Sequence, residues 1–267
     1  MTSAAKRATF RALHESGCFV LPNPWDVGSA KLLQHLGFAA LASSSAGFAW
    51  TTGKPDHVVT RDAIVAHLAA LCAAVDLPVN ADFESGFASD PAGVAESVKL
   101  ALDAGVAGLS IEDLDEAGEF YDTPHALERL RAARAAVDGT GAVLVARTEL
   151  MLADPEALTP AIDRLVAFAD AGADCLFAPG VKRPEDIATM VRAVAPKPLN
   201  VLALDPAMTL AQLADLGVRR ISVGGALARV ALGALLTAAE AMRDGSFAAV
   251  AGGAPRDLLN GVFGASR

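Results

Sequence analysis

The fold class the sequence predicts is α/β, an eight-stranded (β/α)8 TIM barrel with an extra C-terminal helical segment. Three observations carry that expectation. Eight short apolar, β-prone runs recur, at 18–21, 39–42, 78–81, 108–111, 142–146, 175–178, 199–203 and 220–223. They are continuously apolar rather than alternating, the pattern of a parallel sheet covered by helices. Between them lie stretches with apolar residues at helical spacing, at 27–36, 61–75, 91–104, 126–137, 156–171, 184–194 and 210–216. Several of these end on a glycine just before the next strand, at Gly37, Gly105, Gly172 and Gly217, as capped helix C-termini do. A length of 267 residues suits a single barrel of about 250 residues with an appendage.

Taken in order, the first run is followed by Pro22-Asn23-Pro24-Trp25-Asp26 rather than by the glycine-rich fingerprint of an open doubly wound sheet, which favours the barrel. After the eighth run a long helical stretch reaches about residue 244. Gly252-Gly253 and a short amphipathic piece at 255–262 follow it, so the chain reads as one domain over 1–267 with a helical tail at 245–267.

Composition narrows the function classes. Hydrophobic residues are 53% and charged residues 20% of the chain, which excludes disorder. Acidic residues number 31 against 22 basic, a net charge of −9, and no basic cluster is placed to track phosphates, so nucleic acid is not an expected partner. No apolar stretch is long enough to span a bilayer. The three cysteines, Cys18, Cys72 and Cys175, form no disulfide framework, and with no readable signal peptide the cytoplasm is the expected compartment.

In a barrel the chemistry sits where strands end and βα loops begin. The third run leads into Asp82 and Glu84, two apart, and the fourth into Glu112-Asp113, so Asp82, Glu84 and Glu112 are expected to converge at one rim. Three such carboxylates repel unless a cation compensates, and an oxygen-only set suits Mg²⁺, with Mn²⁺ an alternative. Arg147, at the end of the fifth run, is placed to grip a substrate carboxylate with its two-pronged guanidinium. Ser43, Ser44, Ser45, Ala46 and Gly47 form a loop that either supplies N–H and hydroxyl donors to an oxyanion or is only a flexible connection.

These residues resemble the isocitrate lyase/phosphoenolpyruvate mutase superfamily, whose members form and quench enolates of 2-oxo acids beside Mg²⁺. The resemblance rests on Pro22-Asn23-Pro24-Trp25-Asp26, the 43–47 loop, Gly53-Lys54-Pro55-Asp56, Asn80-Ala81-Asp82-Phe83-Glu84-Ser85-Gly86, Glu112-Asp113 and Ala146-Arg147-Thr148. It implies Asp82 as metal ligand with Glu84 and Glu112 beside it, Arg147 as carboxylate clamp and Asp56 near the reacting group. Trp25 and residues 43–47 would contact the 2-oxo acid.

The departures are as informative. The lyases carry a Lys-Lys-Cys-Gly-His type loop after the fourth strand, where this chain reads Leu114-Asp115-Glu116-Ala117-Gly118 and on to Tyr121. Tyr121 could donate a proton to an enolate or serve only in packing; His57 and His125 are weaker candidates. The expected function is a Mg²⁺-dependent, lyase-type enzyme acting on a small 2-oxo acid or dicarboxylate, by carbon–carbon cleavage, decarboxylation or hydrolysis. The alternative is a binding protein that keeps the pocket without turnover. The resemblance also implies a homodimer or homotetramer in which the C-terminal segment is exchanged between neighbouring subunits.

Overall fold

The computed structural model describes residues 1–115 and 117–264. Its strands are β1 (Phe19–Leu21), β2 (Leu41–Ala42), β3 (Val79–Asp82), β4 (Gly108–Glu112), β5 (Val143–Arg147), β6 (Cys175–Phe177), β7 (Leu199–Leu202) and β8 (Arg220–Ser222). All pair in parallel in one sheet of order β1-β8-β7-β6-β5-β4-β3-β2, so each strand from β2 onward neighbours its successor and the last returns to the first. The remaining seam, between β1 and β2, is drawn together just beyond the strand ends. There the Ala42 amide donates to the Pro22 carbonyl at 3.1 Å, and the Asn23 side chain donates to the Ser43 carbonyl at 2.9 Å. The barrel expected from the sequence is present and nearly closed.

The helices are α1 (Ser3–Leu13), α2 (Val27–His35), α3 (Ser45–Thr51), α4 (Arg61–Ala74), α5 (Pro91–Asp103), α6 (Thr123–Val137), α7 (Leu150–Ala153), α8 (Leu158–Asp170), α9 (Pro184–Val194), α10 (Leu210–Asp215), α11 (Ala226–Arg243) and α12 (Arg256–Gly264), with a 3-10 turn at Ala248–Gly252. The glycines expected to end α2, α5, α8 and α10 all have positive φ, from +83° at Gly37 to +103° at Gly172, a conformation glycine adopts without steric cost.

Three helices were not expected. In α1, Phe10 is fully buried and enters the apolar cluster inside the barrel with Leu21, Val143, Val145 and Cys175. The basic residues of the same helix fasten it to chain ends at the bottom. Lys6 donates to the Cys72 and Val75 carbonyls at 2.9 and 2.6 Å, Arg7 to Leu102 at 2.8 Å, and Arg11 to Ala142 at 2.7 Å. Helix α1 therefore plugs the barrel at the end opposite the βα loops. The other two, α3 and α7, are short helices inside segments read as loops.

A larger apolar cluster lies between the sheet and its helices, built by residues such as Ile64, Leu68, Val98, Leu130, Leu165 and Ile187. Beyond the barrel, α11 buries only Ala228 and leaves Val230, Leu235 and Leu236 each more than 60% exposed. Helix α12 rests against α2 of the same chain, and a methyl added at Gly28 would touch the Phe263 ring. No helix among the described residues is long and apolar enough to cross a membrane.

Candidate active site

At the βα-loop end of the barrel lies a cavity of about 160 Å³, lined by eight of the residues expected there: Ser43, Ser44, Ser45, Ala46, Asp56, Asp82, Glu112 and Arg147. It suits an acid of a few carbons rather than a nucleotide. A neighbouring cavity shares His57 and Glu112 with it and is lined also by Glu84.

The geometry within this site differs from the expected one. Arg147 is held among carboxylates. Its Nη1 donates to Glu112 Oε1 at 2.8 Å and to Asp82 Oδ1 at 3.4 Å, and its Nε donates to Glu149. Burial works to lower the pKa of this guanidinium, but the three carboxylates outweigh it and hold the group firmly charged. Burial also pushes the Glu112 carboxyl well above the usual range, against the pull of Arg147. The arginine expected to clamp a substrate carboxylate thus contacts three carboxylates of the rim.

The 43–47 segment, read as a loop, runs into a helix. It is the start of α3, capped by Ser44, whose hydroxyl accepts from the Gly47 amide at 3.1 Å. The Ser45 amide and hydroxyl both donate to Asp82 Oδ2 at 2.9 Å, and the Asp82 amide donates to Ser43 Oγ at 2.9 Å. The Ser45 donors position Asp82 through Oδ2, while its Oδ1 accepts from Arg147. Gly47 and Trp25 do not line the cavity. They pack together, and a Cβ on Gly47 would stand 2.8 Å from that of Trp25. Tyr121 does not line the cavity either, and its ring lies beneath the Arg129 guanidinium at 4.1 Å.

Of the expected metal trio, Asp82 and Glu112 meet at Arg147 Nη1, and Glu84 shares the second cavity with Glu112. Strand β3 stops at Asp82, and the chain turns through a left-handed Glu84 at φ +46°, which carries that side chain into the second cavity. Glu84 there meets His57, itself at φ +61°, with Nδ1 to Oε2 at 3.8 Å, while His57 Nε2 lies 3.7 Å from Asp56 Oδ2. Among the described residues, Asp56, His57 and Glu84 are the group whose donor atoms, all within 4.8 Å of one another, could hold a metal ion. The Glu84 carboxylate chiefly, with Asp56 and Glu112, raises the His57 pKa to about 9, and burial raises that of Glu84. Glu84 Oε1 is buried with no hydrogen-bond partner, an uncompensated acceptor of the kind a cation satisfies.

Several site residues escaped sequence reasoning. Asp113, only 1% exposed, accepts from Thr148 Oγ1 at 2.6 Å, the Glu149 amide at 3.0 Å and Arg164 at 2.9 Å, and so fixes the chain after β5. Asn23 accepts from the amides of Val223 and Gly224, both at 2.9 Å, tying the loop after β1 to that after β8. Arg220 and Asn80 form part of the cavity floor. The one available signal for Arg220 was a charge at the head of an apolar strand.

The fold and site define a class: a parallel α/β barrel with an acid-lined cavity at its loop end. Within that class the chain belongs to the phosphoenolpyruvate phosphomutase family, matched over residues 10–243, and so to the isocitrate lyase/phosphoenolpyruvate mutase superfamily. A solved structure from Burkholderia cenocepacia J2315 with a provisional lyase/mutase designation superposes with a TM-score of 0.94, at 46% identity, covering 98% of this chain and 97% of that one. The protein named probable 2-methylisocitrate lyase 2 of Corynebacterium glutamicum is 33% identical, over 80% of this chain and 72% of that protein. The oxaloacetate decarboxylase of Paraburkholderia xenovorans is 28% identical, over 97% of this chain and 89% of that protein.

Proposed function

We propose that this chain is a divalent-metal-dependent enzyme that decarboxylates a small 2-oxo dicarboxylate of the oxaloacetate type through an enolate. The observation that carries the reading is the composition of the cavity: among the described residues, carboxylates, guanidinium groups, hydroxyls and the His57 imidazole, which is given to the metal below, line it without a thiol or amine. Lyases that expel an alkoxide or carbonyl fragment need a proton-transfer group at the substrate. Decarboxylation does not, since the electrons of the breaking C–C bond become the enolate and carbon dioxide departs without accepting a proton. Water then protonates the enolate carbon. The likeness to an oxaloacetate decarboxylase over almost the whole chain supports the same choice.

Asp56, His57 and Glu84 would hold the metal, which supplies positive charge for the developing enolate oxygen. An imidazole among the ligands favours Mn²⁺ over the Mg²⁺ inferred from an oxygen-only set. Arg147 keeps Asp82, Glu112 and Glu149 in place around the substrate. The apolar face of α11 is the proposed contact between copies of the chain.

The test is pyruvate formation from oxaloacetate by the purified protein with Mn²⁺, with Mg²⁺ and with chelator. Metal-dependent pyruvate formation is expected. Binding of 2-oxo acids without turnover would return the protein to the binding-only alternative.

A further inference from the structure

Three residues in the turn after β3 have a left-handed backbone: Glu84 at φ +46°, Gly86 at +81° and Phe87 at +55°. Glycine adopts this conformation freely, but Glu84 and Phe87 keep it at a cost that their surroundings must offset. Main-chain bonds supply part of the hold, the Gly86 amide donating to the Phe83 carbonyl and the Glu112 amide to the Glu84 carbonyl, both at 2.9 Å. A side chain from α6 adds to it. Arg129, 1% exposed, donates through Nη2 to the carbonyls of Ser85 and Ala88, the latter at 3.1 Å, and through Nη1 to the Glu112 carbonyl at 3.4 Å. One guanidinium thus grips the turn on both sides of Phe87 and joins it to the end of β4. Its plane lies over the Tyr121 ring, and its Nε is buried without a partner. Burial lowers the Arg129 pKa against the influence of Tyr121 and Asp113, and Asp113 is itself paired with Arg164 at 2.9 Å. A buried charge whose hydrogen-bond acceptors are main-chain carbonyls is a costly way to fill space, which an apolar side chain would do as well. What the guanidinium adds is the tie between three carbonyls.

We propose that Arg129 is a positioning residue of the metal site, bridging Ser85, Ala88 and Glu112 so that Glu84 is aimed at Asp56 and His57. The inference rests on the reading of Asp56, His57 and Glu84 as the metal-holding group. It adds a residue that lines neither cavity and acts through the main chain alone. The turn it grips begins at Glu84, the group's one ligand with an unpaired buried oxygen, so a shift of the turn moves that oxygen. A rigid fork is suited to this task, because it fixes three acceptors relative to one another, whereas the point charge of a lysine does not.

The test is calorimetric titration of the full chain with Mn²⁺, in wild type, Arg129→Met, Glu84→Gln and the double variant. Arg129→Met keeps a long apolar stem and removes the three ties. Its Mn²⁺ affinity should fall about tenfold to a hundredfold, as it does when the outer support of a metal ligand is lost. In the Glu84→Gln background the same change should cost little further affinity, because the ligand that Arg129 directs has already been removed. A residue that served only packing would lower the melting temperature and leave the Mn²⁺ affinity of the folded protein as it was. Should Arg129→Met fail to fold, Arg129→Lys decides instead: it keeps the charge without the fork and should show the same loss and the same dependence on Glu84. Wild-type Mn²⁺ affinity in a folded Arg129 variant, or an equal loss with and without Glu84, overturns the proposal and leaves the metal site standing. Wild type that binds neither Mn²⁺ nor Mg²⁺ overturns the metal reading itself.

Discussion

At the scale of single residues, the site is governed by which carboxylates already have partners. Asp82 accepts from Ser45 and Arg147, and Glu112 from Arg147, whereas Glu84 keeps a buried oxygen unpaired. Glu84→Gln should therefore weaken Mn²⁺ binding about tenfold or more, as loss of a charged ligand does, and calorimetry would detect it. The same change should make the metal-free protein more stable at neutral pH. Burial raises the Glu84 pKa, so the native state holds its proton more tightly and wild-type stability falls as pH rises through that raised value. The variant lacks that loss, which melts across pH would show. His67 works with the opposite slope. Stacked on Phe48 at 4.0 Å with its Nε2 buried and unpartnered, it is held neutral by burial, its pKa lowered to about 4. Its contribution to stability is complete above about pH 6.5 and is lost as pH falls toward 4, by up to about 1.4 kcal/mol per pH unit. His67→Phe should flatten the acid side of the stability curve; His14, lowered to about 3 by burial and Arg220, retains a slope of the same sign.

Among the secondary-structure elements, α3 and α11 carry the clearest consequences. Ser44 caps α3, and that helix delivers Ser45 to Asp82, so Ser44→Ala should cost about 1 kcal/mol of stability and loosen Asp82. Denaturant melts would measure the first effect. Helix α11 presents Val230, Leu232, Leu235 and Leu236 to solvent on an isolated chain, large apolar side chains spread around a helix that buries only Ala228. Light scattering should therefore find an oligomer, and Leu235→Glu with Leu236→Glu should shift it toward monomer. These elements also mark what could be read in advance. The strands and their glycine-capped helices were legible because continuous apolar runs and positive-φ glycines are local signals. The α3 helix was not, because Ser-Ser-Ala-Gly is weak helix-forming sequence stabilised by a cap and by Asp82 from another strand. The direction of Glu84 was not legible because the left-handed turn that sets it falls on a residue whose type does not announce such a turn.

Across the whole molecule, the barrel separates two kinds of order: apolar packing between sheet and helices, and a mixed interior in which Arg220, Asn80 and Asn200 lie above Phe10. Neither the burial of Arg220 nor the α1 plug followed from the sequence, since both depend on strands and helices far apart along the chain. Phe10→Ala should cost about 3–5 kcal/mol, the range for a buried aromatic, and would also open the floor beneath Arg220. The plug has one further consequence. Because α1 keeps solvent, and the small ions dissolved in it, away from the underside of the guanidinium, the field of Arg220 is directed into the cavity with little ionic screening. Raising salt from about 0.05 to about 0.5 M should therefore change the interactions of this buried guanidinium little, while attraction of Mn²⁺ to the half-exposed Asp56 and His57 falls. The protein would then keep its interior electrostatics nearly constant in dilute and in concentrated electrolyte, with only its metal supply sensitive to the medium.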